Sequence, residues 1–320
     1  MRHGRWIAVL LAVLLCLGGC GAVGSETQNT EMEPVEEYLD TESPGAAPGS
    51  SAPYQAPDFL DSVFHEDRAQ GSGEVKLDIS SVSDGYVAVS AASNARLKFQ
   101  VLKDENTYNY DISSDGTPSI FPLQCGNGEY MFRVMENITE SKYAEIYSES
   151  CRVELKDEFQ PFLRPSDYVS YSQQSECVRK ASELAANVTD AIGVVSEIYS
   201  FICSNVDYDK AKALTVESGY LPQPDETMRT GKGICFDYAS LAAAMMRSQG
   251  IPAKVIFGYV SPDDLYHAWN MFYTEQTGWV TVDYEVKAGD WNRLDLTFSA
   301  GGADGTFVGD GSNYSDLYFY

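Results

Sequence analysis

The chain has 320 residues, 44% of them hydrophobic, and its 22 basic against 47 acidic side chains give a formal net charge of −25. That length holds two modest domains. A field of that sign repels nucleic acid and anionic headgroups, which argues against a phosphate-tracking role.

At the start of the chain, Arg2 and Arg5 precede an apolar run from Trp6 to Leu17, followed by Gly18-Gly19-Cys20. The run is shorter than the ~20 residues a spanning helix needs and has the layout of a secretory signal. Leu17-Gly18-Gly19-Cys20 resembles the bacterial lipobox, in which the cysteine carries lipid and becomes the mature N-terminus. The resemblance implies a signal peptide over residues 1–19 and lipidation at Cys20. Such a protein is held at the extracytoplasmic face of a bacterial cell membrane by lipid, without a spanning helix. Residues 20–70 are rich in Pro, Gly, Ser, Ala and Glu with few large apolar side chains, and read as a disordered acidic tether that contains His65, with Phe59–Phe64 able to form a short docking turn.

Over residues 71–160 the hydrophobic period is two. Val75–Ile79, Tyr86–Val89, Leu97–Val101, Tyr130–Val134 and Cys151–Leu155 alternate or run β-branched and aromatic, with turns at Asp84-Gly85, Asp115-Gly116 and Asn127-Gly128. Short strands between such turns predict a small antiparallel β-sandwich. Phe162–Tyr168 reads as a connection, and helices are expected over 175–188 and 189–206. A polar loop from Ser218 to Gly233 leads to Cys235.

Cys235 follows two glycines and stands just before Phe236–Gln249, where Tyr238, Leu241, Ala242, Met245 and Met246 recur at helical spacing. The helix ends at Gly250 and Pro252, so the thiol sits at a helix N-terminus, where the dipole and free N–H groups favour a thiolate and can hold an oxyanion. A thiol nucleophile needs a base. Of three histidines, His3 lies in the signal and His65 in the tether, which leaves His267 for the folded part. It opens an apolar strand, His267–Tyr273, and a turn at Thr274–Gly278 leads to a second strand, Trp279–Glu285. Direct or diagonal pairing in that hairpin puts His267 and Asp283 on one face, where the carboxylate can orient the imidazole.

These residues carry a family resemblance. Gly-Xaa-Cys with Asp237-Tyr238-Ala239 after it, Arg247 to Ala253, Gly258-Tyr259-Val260, His267-Ala268-Trp269-Asn270 and Trp279–Asp283 are similar to the transglutaminase-like superfamily, over roughly residues 175–285. The resemblance implies an α+β fold in which the sandwich is followed, over 166–320, by a papain-like domain with helices packed on an antiparallel sheet. It implies Cys235 as nucleophile, His267 as general base and Asp283 as orienting acid, with no cofactor. The partner would be a protein, peptide or cell-wall amide substrate, attacked to form an acyl-thioester and then hydrolysed. Cross-linking acyl transfer, or a non-catalytic scaffold keeping the fold, are the alternatives. Asn270-Met271 and Tyr284-Glu285 depart from the acidic residue and the Pro-Thr often found in bacterial members, and Tyr208 is a candidate second oxyanion donor.

Cys125, Cys151, Cys177 and Cys203 remain, and an exported chain can pair them as Cys125–Cys151 and Cys177–Cys203 or keep them as thiols. A zinc site is not expected, since no Cys-Xaa-Xaa-Cys occurs. The Gly- and Asp-rich tail from Ser299 to Asn313 lacks the regular oxygen-ligand spacing of a calcium loop.

Overall fold

The computed structural model describes residues 52–260, 265–286, 294–299 and 314–320. The signal segment, Cys20, the earlier part of the tether and most of the Gly- and Asp-rich tail lie outside the described residues.

Alternation of buried and half-buried side chains builds the first eight strands. They are β1 (Gln70–Ser72), β2 (Val75–Asp78), β3 (Tyr86–Ala91), β4 (Leu97–Lys103), β5 (Asn106–Ile112), β6 (Ser119–Pro122), β7 (Gly128–Thr139) and β8 (Lys142–Val153). They form two four-stranded sheets, ordered β1-β2-β3-β6 and β5-β4-β7-β8. In β4, Leu97, Phe99 and Val101 turn inward and are buried, as the period of two requires. Ring contacts join the sheets: Phe121 of β6 lies 5.4 Å from Phe99 and 4.0 Å from Tyr110 of β5. The five strands expected from the period of two correspond to β2, β3, β4, β7 and β8, and β1, β5 and β6 are additional. In β5 only Tyr108 and Tyr110 are buried, and Asn, Thr and Asp beside them mask its pattern.

Residues 52–69 are laid along the body, so the tether expected over 20–70 is shorter at this end. The Tyr54 N–H donates to the Val188 carbonyl at 2.7 Å and its hydroxyl to the Gln249 carbonyl at 2.8 Å. Phe59 meets Tyr171 edge to face at 5.7 Å. Phe59 opens the stretch expected as a docking turn, whereas Tyr54 stands alone among Pro, Ser and Ala and carries no such pattern. His65 is placed too: its N–H donates to Asp78 of β2 at 2.7 Å, and its Nδ1 lies 3.2 Å from the same oxygen. The premise that His267 is the one histidine of the folded part therefore fails, though His65 is bound to the sandwich.

The second half contains α1 (Glu176–Ala185), α2 (Ala191–Asn205), β9 (Asp207–Tyr208), α3 (Lys210–Thr215), α4 (Pro224–Thr230), β10 (Lys232–Gly233) and α5 (Cys235–Ser248). Five antiparallel strands follow: β11 (Ala253–Val260), β12 (Leu265–Thr274), β13 (Gly278–Val286), β14 (Leu294–Ser299) and β15 (Tyr314–Phe319), in the order β14-β13-β12-β11-β15. The three longer helices stand where their spacing predicts. The expected polar loop instead contains α4, whose Asp225 accepts the N–H groups of Glu176 and Cys177 at 3.0 and 2.9 Å and so caps α1 from a distance.

Helix α5 is the centre of this half. Ala239, Ala242, Ala243 and Ala244 are fully buried, and their small side chains let α1, α2 and the sheet approach the helix closely. Near its end, Arg247 is 3% exposed and donates to the carbonyls of Ala253 at 2.9 Å, Arg164 at 2.8 Å and Tyr320 at 3.0 Å. Burial pushes this guanidinium down to about 10. The three carbonyls supply the polarity that water would otherwise give it.

Sandwich and α+β half form one compact unit, Ser50–Tyr320, with a continuous core. Tyr320 is packed against Tyr108 and Tyr110 of β5 at 5.7 and 5.8 Å, and Tyr168 stacks on it at 4.2 Å. No disulfide joins the described cysteines.

Candidate active site

The approach to Cys235 is set by two glycines. Gly231 has φ +62°, a left-handed conformation that closes α4. Gly233 is excluded from bearing a side chain by contact: a Cβ there would stand 2.7 Å from the Cβ of Asp237. Between them the chain pairs in parallel with β9, Gly233 beside Tyr208, and the Asp209 N–H donates to the Gly233 carbonyl at 2.8 Å. The backbone is extended at Ile234 and turns helical at Cys235, the first residue of α5. The half-buried thiol thus lies among first-turn N–H groups that have no partner earlier in the helix.

Asp237, fully buried, fixes that turn. Its carboxylate accepts the Ile234 N–H at 2.8 Å, the Tyr220 hydroxyl at 2.5 Å and the Lys212 ammonium at 2.7 Å. Burial acts to lower the Lys212 ammonium, and its hydrogen bonds to Asp237 and Tyr220 outweigh this and leave it raised. Sequence reasoning quotes Asp237 only as part of a motif and misses Lys212 and Tyr220. The one local signal is an Asp at the third helical position, able to reach back to the residue before the helix.

Strand β12 carries His267. The residue is half-buried, pairs across to Gly258 of β11 and stacks its ring on Trp269 at 6.3 Å. At Phe257/Gly258 the pairing of β11 with β15 shifts register, a bulge of the kind that re-aims side chains beside functional sites. Tyr266, next to His267, stacks on Phe257 at 6.1 Å, and Phe257 meets Phe236 at 4.8 Å. These rings bring the start of β12 to the start of α5. Burial chiefly raises the phenols of Tyr208 and Tyr266, and a charge at Cys235 acts in the same direction on both. Asp283 lies in β13 and its backbone is described. Asn270 pairs with Val282 at the end of the β12–β13 register, and Asp283 pairs with Thr297 of β14.

Asn270 has a structural account. Fully buried, it accepts the Tyr199 hydroxyl at 3.0 Å and donates to the carbonyls of Ala239 at 2.9 Å and Lys254 at 3.0 Å. It thereby ties β12 to α2, α5 and β11, and an acidic side chain here would face two carbonyls with no proton to give. Asn270→Asp is expected to lower stability by roughly 2–4 kcal/mol at pH 7. The new carboxyl would have its folded value raised above the unfolded one, so its neutral form is the compatible one. The deficit relative to wild type then narrows as pH falls toward about 4. Urea midpoints of both proteins at pH 7 and pH 4.5 check this; a deficit that widens in acid contradicts it.

A cavity of about 340 Å³ is lined by Phe236, the residue after Cys235, with Phe257 and Tyr266, and by Lys98 and Asp111 of the sandwich. Among the described residues no group of three or more His, Cys, Asp or Glu side chains is arranged to hold a metal ion.

Residues 178–284 match the model of a family described as the transglutaminase-like superfamily. The mouse kyphoscoliosis peptidase is 26% identical over 148 residues, 43% of this chain and 20% of the peptidase, so the match spans about a fifth of that protein. Among solved structures, a candidate cysteine protease from Cytophaga hutchinsonii aligns over 72% of this chain and 80% of its own, with 15% identity and a TM-score of 0.36. LapG from Legionella pneumophila aligns over 45% of this chain and 70% of its own, with 13% identity and a TM-score of 0.32.

Proposed function

From a chain whose residues 178–284 belong to the transglutaminase-like superfamily, we infer a thiol enzyme that acts on amide bonds through Cys235, His267 and Asp283. The observation that supports this reading is the seat of Cys235 on the first turn of α5, where the next residue, Phe236, is joined through Phe257 to Tyr266 of β12. His267 takes the thiol proton as sulfur attacks the amide carbonyl carbon. The carbonyl oxygen, now anionic, is held by first-turn N–H groups and by the Tyr208 hydroxyl, which burial keeps protonated. His267 passes the proton to the leaving amine, and an acyl-thioester remains on Cys235. Water, deprotonated by His267, then releases the acid and restores the thiol. Asp283 orients the imidazole.

The substrate is a protein, peptide or cell-wall amide, and hydrolysis is the reading favoured over cross-linking. An amine added as acyl acceptor at low concentration separates the two, because a transferase hands most of the acyl group to it while a hydrolase hands most to water. The reading itself is tested with iodoacetamide at pH 7 on the full chain, with Cys235 followed by peptide mapping. Wild type is expected to label about tenfold or more faster than His267→Ala, since the imidazole supplies the base. Equal rates in the two proteins would count against the pair.

The enzyme works at the extracytoplasmic face of a bacterial cell membrane, anchored by lipid on Cys20. No described helix is long and apolar enough to cross a membrane, so this reading rests on the residues around Cys20. Cys20→Ser is expected to move the protein from the membrane pellet to the soluble fraction; retention in the pellet contradicts lipid attachment at that residue.

A further inference from the structure

The cavity that Phe236 lines is built jointly by the two halves of the unit. Phe236 follows Cys235 directly in the chain, and Tyr266, the residue before His267, lines the same cavity. The opposite wall comes from β4 and β5. There the Lys98 ammonium holds Oδ1 of Asp111 at 2.8 Å. Oδ2 of Asp111 is turned toward the loop at Gly219, where an added Cβ would stand 3.7 Å from it. The sandwich therefore places one carboxylate oxygen on the far wall of a pocket whose near wall is aromatic. Burial chiefly pushes the Tyr168 phenol up to about 12, and the Asp111 charge adds to this against a hydrogen bond with Tyr320, so that charge is felt across the cavity.

We propose that this cavity is the specificity pocket for a basic side chain of a peptide substrate, with Asp111 of the sandwich as the group that recognises its cation. The inference rests on the reading of Cys235 as nucleophile. Three features select the class. A lysine or arginine stem packs along Phe236, Phe257 and Tyr266, whose ring faces also attract a cation. The terminal donor reaches Oδ2 while Lys98 keeps Oδ1, so no existing ion pair is broken. An acidic side chain would face the Asp111 carboxylate and enter the field of a chain with net charge −25. An apolar one would cover the carboxylate and give it no donor.

The test uses acetyl-alanyl chloromethyl ketones ending in lysine, leucine or glutamate, with the full chain, and measures the second-order rate of alkylation at Cys235 by mass. The lysine reagent is expected to react about tenfold faster than the leucine reagent and faster still than the glutamate one. Asp111→Asn should bring the lysine-to-leucine ratio to about two or less, and Asp111→Glu should keep most of it. Asp111 is solvent-exposed, and circular dichroism verifies that each variant is folded. Equal rates for the three reagents, or a preference for leucine or glutamate, overturn the proposal, as does an unchanged ratio in Asp111→Asn. If iodoacetamide labels Cys235 in a His267-dependent way while the ketones show no preference, the pocket assignment alone fails. If Cys235 is inert to all reagents, the catalytic reading fails and takes the pocket with it.

Discussion

Replacing Cys235 by alanine removes the acyl-thioester and lowers amide turnover about 10⁴-fold or more, the scale seen when a covalent nucleophile is deleted. The fold has little reason to change. Cys235 is half-buried at the first residue of α5, and the turn around it is held by Asp237, Gly233 and β9 rather than by the thiol. Thermal unfolding should therefore shift by less than about 2 °C, the size expected for a substitution that leaves no cavity and no orphaned polar group. Intact-protein mass after mixing with an amide substrate, beside a melting curve, measures both. A variant that keeps more than a tenth of wild-type turnover ends the thiol mechanism. One that loses turnover only because it melts early returns Cys235 to a packing role.

The second large effect concerns stability. Arg247→Met keeps the length of the side chain and removes all three donors at once. The carbonyls of Ala253, Arg164 and Tyr320 then lie buried without partners. An unsatisfied buried acceptor costs about 1–3 kcal/mol. Relief from holding a cation in a dry place returns part of the sum, because burial already opposes that charge. A net loss of about 3–5 kcal/mol is expected, read from urea midpoints, with Arg247→Lys in between because one ammonium cannot span three directions. A loss below about 1 kcal/mol would mean that the carbonyls find other donors. The effect on chemistry follows from position: Arg247 ends the helix that Cys235 begins.

Much of this architecture is written in local pattern. The period of two in β4 and the helical spacing through Tyr238, Leu241, Ala242, Met245 and Met246 are signals that neighbouring residues carry by themselves. The glycines before Cys235 mark the helix start for the same reason. What cannot be read locally is made by residues far apart in the chain. Lys212 and Tyr220 meet Asp237 across about one or two dozen positions, and nothing at Lys212 distinguishes it from a solvated lysine. Asn270 reads as a departure from a motif until its three hydrogen bonds show what it holds. The segment over 52–69 fails for the opposite reason. Its bulk composition is that of a loose linker, and of the two rings that secure it Tyr54 is diluted by its neighbours.

That segment has a mechanical consequence. A load drawn through the start of this segment meets the hydrogen bonds of Tyr54 before the sandwich, one to the loop before α2 and one to the residue that follows α5. Beyond them Pro57 lies against Gly250, and only then does the path reach Phe59, His65 and the sandwich. Tension therefore arrives at the far end of the helix that bears Cys235 before it strains any strand of the sandwich. A tug on the chain is felt at the far end of α5.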